Sequence, residues 1–142
     1  MLVDTLGLLL AVVVLAADVS DRDGALVLLE AYHARYPALQ QLWGDSHYGG
    51  DLGTETEAQY GIAITVVQRA AEQDGFVPLP RRWVVERSLA WLTRCRRLAR
   101  GYERDPAYSE AWIHVATIHQ LTKRLAPDHS LPTPYQRRKA AA

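Results

Sequence analysis

The rhythm of apolar and polar positions changes several times along the 142 residues. Residues 2–17 are nearly all apolar. "LVDTLG" reads as a short strand entering a tight turn, and "LLLAVVVLAA" as the next strand and its hairpin partner. Valines in a row between leucine and alanine fit a strand buried on both faces. From residue 20 the spacing turns helical. Ser20 or Asp21 can cap a helix, Leu26, Leu29 and Tyr32–His33 recur near helical spacing, and Pro37 stops it. "LQQLWGD" is then a short strand delivering Asp45. "GTETEAQYG" is a polar helical turn ended by Gly61, and "IAITVVQR" is a strand of alternating β-branched residues. "AEQDGFVPLP" breaks the pattern with Gly75, Pro78 and Pro80.

The last third is helical. "RRWVVERSLAWLTRCRRLARGYERD" predicts one long amphipathic helix, and Asp105-Pro106 breaks it and starts another, "AYSEAWIHVATIHQLTKRLA". "PDHSLPTPYQRRKAAA", residues 127–142, is proline-rich and basic, and a flexible tail is expected there. No internal repeat is present. Strands alternating with helices and ending in two helices make an α/β domain over residues 1–126.

Composition adds little beyond an ordinary soluble chain, 49% hydrophobic and 23% charged, long enough for one core. Charge distribution adds more. Net charge is zero, yet residues 1–60 hold nine acids against Arg22 and Arg35, and residues 81–104 hold eight arginines against Glu86 and Glu103. An acidic front and an arginine-rich back point either to a polyanion partner for the back or to a solvated basic helix. The single cysteine, Cys95, builds neither a disulfide framework nor a cysteine zinc site within one chain, which fits a reducing cytoplasm. Leu6–Ala17 is shorter than the roughly 20 residues of a membrane helix. No Lys or Arg precedes it, so a strand is the better reading than a targeting segment.

Two carboxylates stand out. Asp45 lies in "LWGDSHYGG", where glycines on both sides end a strand abruptly. Glu86 lies in the arginine-rich helix. At about 100° per residue, Ala90, Thr93 and Arg97 fall within about 40° of Glu86, with Arg82 and Arg100 to one side and Arg87 and Arg94 to the other. Val84, Val85, Ser88, Trp91, Leu92, Cys95, Leu98 and Ala99 fill the opposite arc, a core stripe. Glu86 is then either a surface glutamate making helix ion pairs or an acid set among phosphate-binding arginines that can hold a metal on the phosphate. Other chemistry has less support. Ser46-His47 does not sit in a G-x-S-x-G frame. His47 beside Asp45 reads first as a loop histidine. His114 and His119 are about 140° apart on a helix and do not chelate. The four tryptophans are expected mostly as core, with Trp83 the one candidate for stacking on a base.

Taken together, "LVDTLGLLLAVVV", "DRDGA", "LWGDSHYGG", "GFVPLPRRWVVERSLAWLTRCRRL" and "AWIHVATIHQLTKRL" resemble the catalytic domain of bacterial insertion-sequence transposases, the DDE transposases of the insertion-sequence-five type. The resemblance spans about residues 2–139 in family order. It implies a ribonuclease H-like fold and DNA transposition. In that family two Asp and one Glu bind two Mg²⁺ ions that activate water or a DNA 3′-hydroxyl for in-line attack on a phosphodiester. The family's "WGD" aspartate matches Asp45, its "W-V-V-E-R" glutamate matches Glu86, and the arginine four residues before the glutamate matches Arg82. A family Tyr and Lys fall on Leu79 and Thr93, and Arg94 is the nearest substitute for the Lys.

The resemblance also implies a departure. The family's first catalytic Asp lies on a strand upstream of "LVDTLG", so the expected fold is an incomplete ribonuclease H-like sheet lacking its first strand. Asp4, Asp18, Asp21 and Asp23 suit turns and helix caps rather than its replacement. The expected chain is therefore a C-terminal part of a DDE catalytic domain, inactive alone. Asp45 and Glu86 would be catalytic metal ligands, with Arg81, Arg82, Arg87, Arg94 and Arg97 on the phosphates of double-stranded transposon-end DNA. Its expected partners are that DNA and the upstream half or full-length transposase. The alternative is a non-catalytic DNA-binding or regulatory fragment.

Overall fold

The computed structural model describes residues 1–67 and 81–126, apart from the side chain of Arg82. Within them the elements run β1 (Leu2–Val3), β2 (Leu9–Ala11), α1 (Asp21–Tyr32), β3 (Gln41–Gly44), α2 (Asp51–Tyr60), β4 (Ala63–Val66), α3 (Arg82–Leu92) and α4 (Pro106–Leu125), with short 3₁₀ turns at His33–Arg35 and Ser46–Tyr48. The expected breaker loop at residues 71–80, including Leu79, and the expected tail at 127–142 lie outside the described residues.

The described strands form two separate pairs. β1 and β2 are antiparallel, and β3 and β4 are parallel, with Trp43 opposite Thr65 and Gly44 opposite Val66. The β1–β2 turn is built by Asp4, whose Oδ1 accepts the N–H groups of Leu6 and Leu8, both at 2.8 Å. The expected long second strand is cut short at Ala11. β1 is two residues long and offers no ladder partner beyond that point. Ala11 and Val12 are buried, but Leu15 is exposed, so burial on both faces does not extend along the whole run.

Several helix ends follow their signals. Ser20 caps α1 by accepting Asp23 N–H, and Asp105 caps α4 by accepting Ala107 N–H ahead of Pro106. α2 ends at Gly61 in the left-handed conformation. α1 buries Leu28 and Leu29. The hydroxyl of Tyr36, just past its 3₁₀ extension, donates to the Leu10 carbonyl of the hairpin. The connection from β3 to β4 contributes Leu52, Thr56 and Ile62, the largest fully buried side chains among the described residues.

α3 stops at Leu92, well short of the expected Asp105. Thr93 donates its hydroxyl to Ala90, and the chain continues as turns, with Arg94 N–H to Trp91, Cys95 N–H to Leu92 and Leu98 N–H to Cys95. The physical reason is the charge crowding that follows. Arg94, Arg96, Arg97 and Arg100 would stand three and four residues apart on a helix, and each such like-charge pair costs a few tenths of a kcal/mol. Of the core stripe inferred from spacing, Val84, Ser88 and Leu92 are buried and Ala99 is exposed. The buried edge of α3 rests on the hairpin. Ser88 Oγ donates to the Gly7 carbonyl at 2.8 Å, and Arg87 donates to the Leu6 carbonyl at 2.9 Å. α4 is joined to the same region through Glu110, which accepts Val14 N–H at 2.8 Å.

Candidate functional site

Asp45 follows the last residue of β3. Because β3 and β4 are parallel, both point their carboxyl ends to one side, the side at which open α/β sheets place ligands. The pairing continues past the strand, with Val67 N–H donating to the Gly44 carbonyl at 2.8 Å. The chain then turns at once. Asp45 caps the 3₁₀ turn Ser46–Tyr48, its Oδ1 accepting His47 N–H at 3.0 Å, with His47 Nδ1 3.2 Å from the same oxygen. The sharp turn folds the Tyr48 ring back over Gly44. A Cβ at residue 44 would stand 2.7 Å from Tyr48 Cδ2, so glycine is the residue this approach permits. His47, read first as a loop histidine, is in fact on the Asp45 carboxylate.

Tyr48 reports on that corner. Burial raises its phenol above the usual value of 10.0, and the charges of Asp21 and Asp45 raise it further. The folded state therefore holds this proton more tightly than the unfolded chain does. Its contribution to stability is complete below pH about 10 and is lost as pH climbs through the folded value. Alkaline spectrophotometric titration should show one late-ionising tyrosine, and Asp45→Asn should move that ionisation to lower pH. A late step unmoved by Asp45→Asn would break the link between the two side chains.

Glu86 is exposed in the middle of α3. The start of its helix is tied to the strand of Asp45 by the Arg81 guanidinium, 4.0 Å from the centre of the Trp43 ring. Trp43 is the last but one residue of β3, two positions before Asp45. Arg81 has φ 69°, a strained setting for a side-chain-bearing residue. Nothing in the sequence signalled this pair. Trp43 read as core, and Arg81 lies 38 positions (81 − 43) further on.

The other candidate arginines are differently placed. Arg87 lies between two indoles, 4.2 Å from Trp83 and 4.7 Å from Trp91, and is anchored on the Leu6 carbonyl. Its Nε is buried without a hydrogen-bond partner. Arg97 donates to Glu103 at 2.6 Å. Arg94 and Arg97 lie beyond the end of α3, so the helical face expected to carry them with Glu86 ends before it reaches them. Arg94 is exposed.

Divalent cations need several oxygen ligands converging on one point. Among the described residues no group of three His, Cys, Asp or Glu could hold a metal ion. The described carboxylates do not by themselves fit a metal centre. No helix among the described residues is long and apolar enough to cross a membrane.

The molecule is thus a small mixed α/β domain with an acidic strand end and an arginine-flanked helix, linked where Arg81, just before the helix, stacks on Trp43 of that strand. The family model for the transposase DDE domain matches residues 1–121, and the chain belongs to that family of transposases. DDE domains are generally ribonuclease H-like and generally use a divalent metal, and the mixed α/β composition agrees with the first property. No curated protein and no solved structure matches the chain.

Proposed function

We propose that this chain serves DNA transposition of the insertion-sequence-five type as the C-terminal part of a DDE catalytic domain, contributing two of three catalytic carboxylates, Asp45 and Glu86. The observation that carries the reading is the presentation of Asp45 at the carboxyl end of a parallel strand pair, stacked through Trp43 and Arg81 against the helix of Glu86. The third carboxylate comes from a strand supplied by an upstream segment or by full-length transposase. The strand pairs formed by the described residues do not join, and unpaired strand edges are costly to leave, which supports a further strand supplied from elsewhere. Mg²⁺ binding then waits on that third carboxylate.

In this reading Arg81, Arg82, Arg87, Arg94 and Arg97 are the residues that bind the phosphates of double-stranded transposon ends. A guanidinium stacked on an indole keeps edge donors for a phosphate fork, so anchoring Arg81 and Arg87 on rings is compatible with this role. Such contacts position DNA without reading its sequence and weaken steeply with salt.

A second reading, a non-catalytic DNA-binding or regulatory fragment, is favoured by the lack of a three-ligand group among the described residues. One experiment separates the two. The purified chain is assayed for joining of transposon-end duplex with Mg²⁺, alone and with full-length transposase carrying an inactivated downstream half. The expected result is salt-sensitive binding and no joining alone, with joining when the two are combined. Joining by the chain alone would refute the incomplete triad. Binding that never becomes joining would leave the binding fragment as the function.

A further inference from the structure

Trp83, Arg87 and Trp91 stand one turn apart on α3, so they share one side of that helix. The Arg87 guanidinium lies between the two rings, and the Arg124 guanidinium, from the last turn of α4, lies 4.4 Å from the centre of the Trp91 ring. Indole and guanidinium therefore alternate along a ladder that crosses from α3 to α4. The ladder lies at the surface, with Trp83 and Arg124 exposed and Arg87 and Trp91 half-buried. It holds two positive charges. The guanidinium carbons of Arg87 and Arg124 are at most about 9 Å apart, the sum of their distances to the Trp91 ring (4.7 + 4.4). That is comparable to the Debye length at physiological salt, so each charge feels the other. Among the described residues no ion pair joins either one to a carboxylate, whereas Arg97 is paired with Glu103. The helix dipole favours a cation in the last turn of α4. It does not account for the placing of that cation on a ring of another helix, close to a second guanidinium.

We propose that this ladder carries the DNA-binding surface across onto α4, with Arg87 and Arg124 each gripping a phosphate of the same strand and Trp91 positioning both. The inference rests on the reading of the chain as a DNA transposition protein, and it adds a residue, Arg124, that lies outside the arginine-rich stretch 81–104. Donor geometry supports it. Arg87 commits Nη2 to the Leu6 carbonyl and has its Nε buried, which leaves Nη1 to reach a ligand. Arg124, stacked on a ring face, keeps the donors along its edge, the ones that fork onto phosphate oxygens. Entropy supports it as well. An exposed arginine loses its rotamer freedom when it takes hold of a phosphate, and a side chain already laid on an indole has less of that freedom to lose. Charge completes the case. Two like charges gathered at one ring repel until anions come between them and solvent, and a nucleic-acid strand supplies anions at a regular repeat.

The test is binding of the full chain to a short DNA duplex of arbitrary sequence, followed by fluorescence anisotropy across a potassium chloride series. Arg124→Gln should reduce the slope of log K against log salt by about 0.9, the value of one phosphate contact. Lys123→Gln removes the same charge one residue away, at an exposed position off the ring, and should change the slope by less than about half as much. Arg124→Lys keeps the charge but neither stacks as a plane nor forks, so it should hold the parent slope while binding several-fold more weakly. Thermal melts of the three variants establish that each is folded, and Arg124→Lys carries the test if Arg124→Gln is not. Equal slope changes for Arg124→Gln and Lys123→Gln would reduce the ladder to diffuse charge and overturn the proposal. So would Arg124→Lys binding as tightly as the parent. A parent chain that binds duplex with a slope indifferent to Arg124→Gln would sink this inference alone, whereas a parent chain that binds no duplex would sink it together with the reading it rests on.

Discussion

Asp45→Asn should reduce DNA joining by the complemented transposase at least about a thousandfold, about 4 kcal/mol in the barrier, and move folding stability by less than about 0.5 kcal/mol. The contrast between the two numbers is the test. Asp45 has a structural task in plain view, capping the 3₁₀ turn with an oxygen that accepts His47 N–H. Asparagine caps as well as aspartate does and has nearly the same shape, so the turn should survive. The amide cannot replace a charged oxygen on a divalent cation. If Asp45 were only a turn residue, Asn would preserve activity along with the fold, and unchanged joining would sink the ligand reading. Asp45→Ala is the useful companion. It should cost about 1 kcal/mol of stability through the lost cap as well as abolishing joining. Glu86→Gln should match Asp45→Asn in activity and keep α3 helical, because Gln has similar helix propensity.

How much of this was legible in the sequence depends on the range of the signal. Ser20, Gly61 and Asp105-Pro106 act within a few residues, and the helices they bound lie where those residues put them. Asp45 at a strand end was legible for the same reason, as the glycines around it are local signals. The extents of β2 and α3 were not. The valines after Ala11 have strand character but no partner to pair with, and the ladder stops where β1 runs out. The apolar spacing after Leu92 still reads as helix, and periodicity carries no record of the arginine repulsion that ends it. The site divides in the same way. Each carboxylate could be singled out, whereas the contact that ties their elements together, Arg81 on Trp43, depends on tertiary placement. The roles of Arg87 and Arg97 as anchored side chains likewise depend on the Leu6 carbonyl and on Glu103, one of them 81 residues away.

Gly7→Ala should destabilise the chain by about 2–4 kcal/mol, a large fraction of what holds a domain of this size. Two costs combine. Gly7 has φ 78°, where a Cβ costs about 1–2 kcal/mol. That Cβ would also lie 2.7 Å from Ser88 Oγ, with Arg87 Nη2 at 3.2 Å and the Trp91 ring at 3.3 Å. The hairpin touches α3 through backbone because residue 7 has no side chain, and the Ser88 and Arg87 hydrogen bonds to the Gly7 and Leu6 carbonyls depend on that closeness. Ser88→Ala separates the two costs. Alone it should lose about 1 kcal/mol, the net worth of one hydrogen bond. In that background Gly7→Ala should cost less than it does in the parent, because the nearest obstructing atom is gone and the backbone term dominates. Equal costs in the two backgrounds would mean that the close approach to Ser88 is not what glycine is there to allow. The consequence for function is direct. Glu86 lies two residues before Ser88 on α3, so the hairpin contact that Gly7 permits also helps set where that carboxylate stands. Gly7→Ala should therefore reduce joining in the complemented transposase even at temperatures where the variant remains folded.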